Sequence, residues 1–360
     1  MLLEAQFFYG MSGYAVGSFD KLRRIEMSTE TVNPETSTHD YRQAVEALYR
    51  DAADTPMSKL CCTTSPVWRM PGLTIPTIMQ EMNYGCGTTV HPQDLSPGAR
   101  VLYVGVGGGM EALQFAYFTR SVGSVLAVDS VPEMMARARA NLELAAKTND
   151  WFRPEFVDIR QGDALSLPVD EDSVDIAAQN CLFNIFTRAH LHRALTQMHR
   201  VLRPHGRLFM SDPVSTRPMP EHLAEDDRLR AECLSGALLL DDYLQAIVDA
   251  GFGTIEVRRK STYRVLDKER YRLDEPLVLE SIEVCAIKDP IPDDGPCIFT
   301  GATATYFGRE EAFDDGRGHV LVRDLPLQVC DKTAKALSSL GRDDLWITSG
   351  NHHYHGGGCC

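Results

Sequence analysis

The 360-residue chain has no apolar run long enough to cross a membrane, and no basic segment precedes the apolar residues at its start. Positive charge is also scarce, because 36 Lys and Arg stand against 50 Asp and Glu, for a formal charge of -14. Nucleic acids and anionic membrane surfaces repel such a surplus of negative charge. We therefore expect a cytoplasmic protein with neither as its partner, and a monomer, since nothing in the sequence demands an oligomer.

The Cys-x-x-Cys spacing of zinc knuckles and thioredoxin-like motifs is absent, although the chain has ten cysteines. In a cytoplasmic chain of this length, ten thiols indicate reactive or ligand-binding side chains before a disulfide framework. A soft ion, if one is bound, would take its ligands from distant parts of the sequence.

Composition divides the chain into four segments. Residues 1–40 are predicted to be flexible, because the Ser/Thr/Pro/Glu-rich stretch that ends them buries too little to order itself. Within them, we interpret Met27 as the true start. Residues 41–97 are predicted to be helical and to carry cysteines, and residues 98–289 alternate between strands and helices. Residues 290–360 begin with a Pro/Gly-rich boundary and form a small α+β module with a Gly-Gly-Gly-Cys-Cys tail.

A glycine-rich turn lies at positions 105–109, between an apolar strand at 101–104 and a predicted helix at 110–119. Glycine lets the backbone turn sharply and approach a ligand closely, because it has no Cβ. Strand, glycine turn and helix form the opening of a nucleotide-binding βαβ unit.

Strands and helices continue to alternate after this turn. Further strands are predicted at 124–128, 155–160, 173–178 and 206–211, the last ending at Asp212-Pro213, and two more at 254–259 and 280–287. This pattern predicts an α/β fold with a doubly wound, Rossmann-like sheet, whose ligand groups lie at the carboxyl ends of the strands.

Acidic residues follow two of these strands, at Asp129 and Asp163, and no Lys or Arg occurs between 101 and 119. A ligand with hydroxyl and amino groups but no phosphate suits this pattern. The glycine turn, Asp129 and Gly162-Asp163-Ala164 together resemble the S-adenosylmethionine pocket of class I methyltransferases. The cofactor-binding residues that we predict are Tyr84, Gly105, Gly107, Gly109, Asp129, Ser130, Met134, Asp163, Ala164 and Asn180.

Three cysteine motifs lie in order around this core: Asn83-Tyr-Gly-Cys86-Gly, Gln179-Asn-Cys181-Leu-Phe-Asn184 and Ala231-Glu-Cys233-Leu-Ser-Gly-Ala237. With the run Leu60-Cys-Cys-Thr-Thr64, they closely resemble the arsenite S-adenosylmethionine methyltransferase family over residues 55–290. The remainder of the chain resembles the branch of that family associated with arsenosugar biosynthesis.

The resemblance implies that Cys86, Cys181 and Cys233 hold trivalent arsenic in an insertion of the methyltransferase core. Thiolates are the soft ligands that suit this ion, and three of them leave its lone pair free to attack the sulfonium methyl group. A fourth thiol, Cys61 or Cys62, would deliver arsenic or form a disulfide with Cys86, and the choice between them stays open. The implied partners are arsenite, methylated arsenicals and a thiol reductant, either thioredoxin or glutathione.

Several readings remain beside this one. Tyr84 packs either near the sulfonium, where an aromatic face favours a cation, or as an ordinary loop aromatic. Cys285, Cys297 and Cys330 are interpreted as buried small hydrophobic residues. The whole chain could be a small-molecule O-, N- or C-methyltransferase with structural cysteines, which the lack of an acid/base motif near Asn180 disfavours. A non-catalytic protein that binds arsenic or heavy metals is the other alternative, and the intact cofactor motifs weigh against it.

Overall fold

The computed structural model describes residues 41–57, residue 60 and residues 70–354. The predicted flexible segment 1–40 with Met27, the thiols Cys61 and Cys62, and the tail with Cys359-Cys360 lie outside the described residues. Among the residues described, no helix is both long and apolar enough to span a bilayer.

An eight-stranded sheet with the order β3-β2-β1-β4-β5-β7-β6-β8 forms the centre of the described chain. Its strands are β1 (Val101–Val104), β2 (Val125–Asp129), β3 (Val157–Gln161), β4 (Val174–Asn180), β5 (Leu202–Ser215), β6 (Thr254–Leu266), β7 (Leu277–Ile287) and β8 (Cys297–Phe299). The first five strands pair in parallel, whereas β7 is antiparallel to both β5 and β6. This arrangement confirms the predicted doubly wound α/β sheet.

Helices connect the strands, and their burial reflects their place in the layers. They are α1 (Tyr41–Asp54), α2 (Thr77–Glu81), α3 (Met110–Thr119), α4 (Pro132–Ala146), α5 (Arg188–Val201), α6 (Glu221–Ala224), α7 (Asp227–Ala231), α8 (Leu240–Asp249), α9 (Lys268–Tyr271) and α10 (Asp331–Ser339). The helix after the glycine turn, α3, is apolar over most of its circumference, as a helix covered by protein requires. In contrast, α5 is amphipathic and begins at Thr187, whose side chain accepts the backbone N–H of His190.

Strand β5 differs most from its prediction. It runs from Leu202 to Ser215 rather than from 206 to 211, because β7 pairs with it continuously from Arg207 to Ser215. Residues 203–206 also lie within the strand, because Leu202 pairs with Val174 of β4, and His205 has a left-handed conformation (φ 64°). Asp212, predicted at the strand's end, is fully buried inside it. Strand β3 also begins two residues later than predicted, after a 3-10 turn at Pro154–Phe156.

The C-terminal segment adds short strands and one helix around a small core of its own. The strands are β9 (Thr303–Tyr306), β10 (Ala312–Asp314), β11 (Val320–Val322), β12 (Leu327–Gln328) and β13 (Leu345–Ile347). They form the sheets β12-β9-β13 and β10-β11, and α10 packs on them through Leu337. Their composition agrees with the predicted α+β module, and the exact division of the chain into four segments stays a prediction.

Candidate active site

A cavity opens at the carboxyl ends of β1, β2 and β4, where the glycine turn lies. Gly105 (φ 81°) and Gly107 (φ 51°) both have the left-handed backbone that glycine adopts without strain. They form part of the cavity wall, as do Tyr84, Asp129, Ser130, Met134, Asp163, Ala164 and Asn180. The structure thus brings nine of the ten predicted cofactor residues together around one space.

Gly109 is the predicted cofactor residue that does not line this cavity. It precedes α3 with φ 85°, and a Cβ there would lie 3.3 Å from Cε of Met79 and 3.6 Å from the carbonyl oxygen of Ala138. Its lack of a side chain therefore serves the close packing of α3 against α2 and α4.

Asp129 ends β2 with its carboxylate held by the backbone of the cavity wall. Oδ2 accepts the N–H of Val106 and Oδ1 accepts the N–H of Val131, both at 2.9 Å. Burial raises the pKa of Asp129 to about 6, although the N–H groups of Val131 and Val106 oppose that shift. A partly buried carboxylate fixed in this way suits a ligand hydroxyl that donates a hydrogen bond.

Helix α1 covers the cavity and adds a cation that the sequence did not predict there. Tyr41, Arg42 and Tyr49 of α1 line the space. The guanidinium of Arg42 forms an ion pair with Asp163 at 2.5 Å, while the other oxygen of Asp163 accepts the N–H of Leu165 at 2.9 Å. Arg42 comes from a helix that is distant in sequence, so a motif search around the glycine turn cannot detect it.

Tyr84 lies between this helix and the cavity. Its hydroxyl donates to the carbonyl oxygen of Ala52 at 3.2 Å and accepts the N–H of Met57 at 3.4 Å. Its ring meets that of Tyr49 edge to face, with centroids 6.4 Å apart. Tyr84 therefore both packs as a loop aromatic and contributes to the cavity wall, so its two predicted readings are compatible.

Cys86 is fixed by Asn180, the last residue of β4. The Cys86 N–H donates to Oδ1 of Asn180 at 3.1 Å, and Nδ2 of Asn180 donates to the carbonyl oxygen of Gly87 at 3.0 Å. A Cβ on Gly85 would lie 2.5 Å from that amide, so a larger residue does not fit there. The Cys86 sulfur itself lies 3.4 Å from Oγ of Ser211.

Cys181 and Cys233 are in direct contact although 52 positions separate them. The Cys233 thiol donates to the carbonyl oxygen of Cys181 at 2.7 Å. A Cβ on Gly236 would lie only 1.8 Å from the carbonyl oxygen of Asn184, so the two cysteine motifs pack backbone to backbone. Of the three predicted thiols, Cys181 lines the cavity, and Cys86 and Cys233 are buried behind it.

The three thiols do not form a common ligand set in this conformation. The described contacts of the Cys86 and Cys233 sulfurs are with oxygen atoms of the protein. Over the described parts of the chain, no group of three or more His, Cys, Asp or Glu side chains is placed to hold one ion. Side-chain rotation would therefore have to precede any shared coordination.

Glu111 is a residue of the site that sequence reasoning missed. It follows the glycine turn in α3, lines the cavity and is 3% exposed. Its carboxylate accepts the N–H and the hydroxyl of Thr89 at 2.9 Å, the Thr88 hydroxyl at 3.2 Å and the Tyr103 hydroxyl at 2.8 Å. Glu111 thus joins the glycine turn to the loop that carries Cys86. Only its position directly after the turn hinted at this role.

Two further buried carboxylates support the thiol loops. Glu283 accepts the N–H of Thr88 at 3.2 Å, and burial raises its pKa. Asp212 accepts the Tyr243 hydroxyl at 2.6 Å and the N–H of Phe183 at 3.2 Å, next to the Cys181 turn. Burial, followed by the nearby Asp212, raises the pKa of Tyr243 far above its usual range, so the phenol remains a donor.

Comparison with known proteins agrees with the methyltransferase fold. A family model described as a methyltransferase domain matches residues 102–210. The chain is 35% identical over 217 residues to the arsenite methyltransferase of Halobacterium salinarum, which is 59% of this chain and 52% of that protein. It is 33% identical over 190 residues to the arsenite methyltransferase of Aquipseudomonas alcaligenes, with 51% and 53% covered. It thus spans about half the length of these relatives.

Among solved structures, the arsenic(III) S-adenosylmethionine methyltransferase of Chlamydomonas reinhardtii superposes with a TM-score of 0.54 at 25% identity, over 79% of this chain and 95% of that one. The fold and the cavity define a class I methyltransferase. Its sequence is similar to those of arsenite methyltransferases, which agrees with the resemblance first seen in its cysteine motifs.

Proposed function

We propose that this protein transfers methyl groups from S-adenosylmethionine to trivalent arsenic bound by thiolates of Cys86, Cys181 and Cys233. The observation that carries the proposal is the position of Cys181. It lines the same cavity as the glycine turn and Asp129, and its carbonyl oxygen accepts the Cys233 thiol. A donor site and a thiol group thus meet at one wall.

The residues around the cavity fit the methyl donor. Gly105 and Gly107 leave room beside the backbone, and Asp129 offers a partly buried carboxylate to hydroxyl groups of a ribose. Asp163 would accept a hydrogen bond from the adenine amino group, either beside its ion pair with Arg42 or after that ion pair breaks. When bound, S-adenosylmethionine supplies an electrophilic methyl group on a positively charged sulfur.

On the acceptor side, the protein binds and orients. Three thiolates suit trivalent arsenic, whose lone pair carries no proton, so the chain needs no general base at the acceptor. The Cys233 thiol must turn away from the Cys181 carbonyl, and Cys86 must turn away from Ser211, to share one ion. Alignment of two bound reactants then removes much of the entropic barrier.

A thiol reductant, thioredoxin or glutathione, would keep the cysteines reduced, and Cys61 or Cys62 would act as the fourth thiol. Arsenic detoxification is the biological role that we propose, and the arsenosugar pathway stays a prediction from the sequence of the C-terminal segment.

The test is to incubate the protein with arsenite, a thiol and S-adenosylmethionine labelled in its methyl group, and to separate the products. The proposal predicts labelled methylarsenicals. Label on an O-, N- or C-linked acceptor instead would favour the small-molecule alternative. Arsenite binding without any transfer of label would favour a non-catalytic binding protein.

A further inference from the structure

Two thiols in the C-terminal segment lie away from the cavity and take no part in the proposed reaction. Cys297 begins β8 and Cys330 directly precedes α10, and both are buried, at 5% and 0% exposed. They belong to one small apolar cluster with Phe299, and the Tyr354 ring covers Phe299 with its centroid 5.1 Å away.

Cys330 stands at the end of a chain of hydrogen-bonding side chains. Its sulfur lies 3.1 Å from Oγ1 of Thr333, and that hydroxyl lies 3.4 Å from Nε2 of His319. On the far side of the ring, Nδ1 of His319 lies 2.6 Å from Oδ2 of Asp315. The Asp315 and His319 side chains are 4% and 12% exposed, so the surrounding protein shields these hydrogen bonds from water.

The Asp315 carboxylate determines which atoms donate and which accept in this series of hydrogen bonds. Asp315 also accepts the backbone N–H groups of Arg317 and His319, at 2.8 and 3.0 Å, and an ionised carboxylate can only accept. Nδ1 of His319 must therefore carry a proton, which leaves Nε2 to accept from the Thr333 hydroxyl. The Thr333 oxygen in turn can accept the proton of the Cys330 thiol. Imidazole oriented by a carboxylate is the usual means of activating a nucleophile.

Cys297 has a charged neighbour of its own. The Lys332 ammonium donates to Oδ1 of Asp294 at 2.6 Å and to the carbonyl oxygen of Gly295, two residues before Cys297, at 2.8 Å. A cation beside a thiol favours the thiolate, as does the N-terminus of a nine-residue helix beside Cys330. Both cysteines are buried in an apolar cluster, as predicted from the sequence, and Cys330 also contacts the Thr333 hydroxyl.

We propose that Cys330 and Cys297 form a second, dithiol site for trivalent arsenic, separate from the methyl-transfer cavity. The identity of the ligand rests on the proposed function. Arsenous acid loses two hydroxyl groups as two waters, each taking one thiol proton, and two As–S bonds replace two As–O bonds, with no change of oxidation state. Thr333 and His319 accept the Cys330 proton as its As–S bond forms, and the same hydrogen bonds return it to the departing hydroxyl. Because Cys330 is fully buried, a local movement of the protein must admit the ligand.

The test uses the full chain, kept reduced with a phosphine, and arsenite as the probe. N-ethylmaleimide labelling is followed by mass spectrometry at each cysteine, with and without equimolar and excess arsenite. Cys285, buried in β7, reports whether the fold stays intact in every variant. The variant Thr333→Val keeps the shape of the side chain and removes the hydroxyl that links Cys330 to His319.

The proposal predicts that arsenite protects Cys297 and Cys330 together, and that Thr333→Val slows labelling of Cys330 by about tenfold or more while Cys86 is unchanged. Protection of Cys86, Cys181 and Cys233 without protection of this pair would overturn the second site and leave the proposed function standing. Protection of none of the five would overturn both. Failure of Cys330 to label without arsenite, or an unchanged rate in Thr333→Val, would also overturn the second site.

Discussion

The thiol of Cys233 donates a hydrogen bond to the carbonyl oxygen of Cys181, and both residues have left-handed backbone conformations, with φ of 58° and 59°. Such conformations are uncommon for residues with a side chain and persist where the surroundings hold them. Here the hydrogen bond joins Cys181, at the carboxyl edge of the sheet, to Cys233, in the segment after α7, and so stabilises both conformations. The contact brings two cysteine motifs that are distant in sequence to one wall of the cavity.

Cys233→Ser is expected to abolish methyl transfer to arsenic while leaving the fold intact. Serine keeps a hydroxyl that can donate to Cys181, so S-adenosylmethionine affinity and thermal stability should change little, whereas the soft ligand is lost. We expect no methylarsenic product above background, measured by chromatography of labelled arsenicals. The matched control, Cys285→Ser in β7, should retain activity, and turnover of Cys233→Ser at the wild-type rate would remove this thiol from the site.

Glu111 is expected to matter more for its shape and acceptors than for its charge. Glu111→Leu leaves four buried donors from Thr88, Thr89 and Tyr103 without this acceptor, at a cost of at least about 2 kcal/mol in the free energy of unfolding. Glu111→Gln can keep all four contacts if two hydroxyls turn to accept, so its loss should be clearly smaller. Urea unfolding measures both, and equal losses would contradict the argument.

Binding of S-adenosylmethionine should weaken at acidic pH. The pKa of Asp129 is raised to about 6, so its carboxyl group binds a proton as the pH falls through that value and can no longer accept two ligand hydroxyls. The dissociation constant should rise up to about tenfold per pH unit below 6. The same shift makes this group's contribution to folding stability fall as the pH rises from about 4 to 6.

Calorimetric titration between pH 5 and 8 measures this dependence. Asp129→Asn cannot ionise, so its affinity should be weak and flat over the same range. An unchanged wild-type affinity between pH 5 and 7 would show that Asp129 does not hold the ligand in its ionised form.

Arg42 and the ligand are expected to compete for Asp163. Both side chains of this ion pair are partly exposed, at 46% and 35%, so the pair itself contributes little to stability. Arg42→Gln should leave affinity for S-adenosylmethionine unchanged or tighten it by up to about fivefold, which corresponds to about 1 kcal/mol. Asp163→Ala should weaken it. Weaker binding of S-adenosylmethionine by Arg42→Gln would instead indicate that Arg42 contacts the ligand.

Tyr243→Phe should destabilise the fold without altering the ligand groups. It removes the hydrogen bond to the buried carboxylate of Asp212, which retains Gln179 and the Phe183 N–H as donors. Hydrogen bonds to charged groups contribute about 1.5–3 kcal/mol. Thermal unfolding should show the loss, whereas Tyr117→Phe, which removes an exposed hydrogen bond to Pro71, should be nearly neutral. Equal stability of both variants would contradict this.

The sequence predicted the parallel half of the sheet well, because its signals are local. Apolar runs ending in glycine or aspartate mark β1 and β2 to within one residue. The predicted end of β5 was wrong. Asp212-Pro213 has the local composition of a strand end, but β5 continues to Ser215 because β7 pairs with it that far. That pairing joins residues some 70 positions apart, which no local window contains.

The candidate site shows the same limit. Glycines, acidic strand ends and cysteine motifs are readable in sequence, and the cavity collects most of them. The roles of Arg42 and Glu111 depend on partners in other elements, Asp163 and the Thr88-Thr89 pair, so the residues themselves carry no motif. The orientation of the Cys233 thiol toward Cys181, rather than toward a shared ion, is likewise set by packing alone.

The most direct test is a single-turnover measurement with Cys181→Ser. Protein loaded with arsenite is mixed with labelled S-adenosylmethionine. The number of methyl groups transferred to arsenic per protein molecule is measured, and the amount of bound S-adenosylmethionine is measured in parallel. We predict about one methyl transferred in the wild type and in Cys285→Ser, and none in Cys181→Ser, with donor binding equal in all three. Transfer by Cys181→Ser at the wild-type rate would contradict the claim that arsenic reacts while bound at the wall of this cavity.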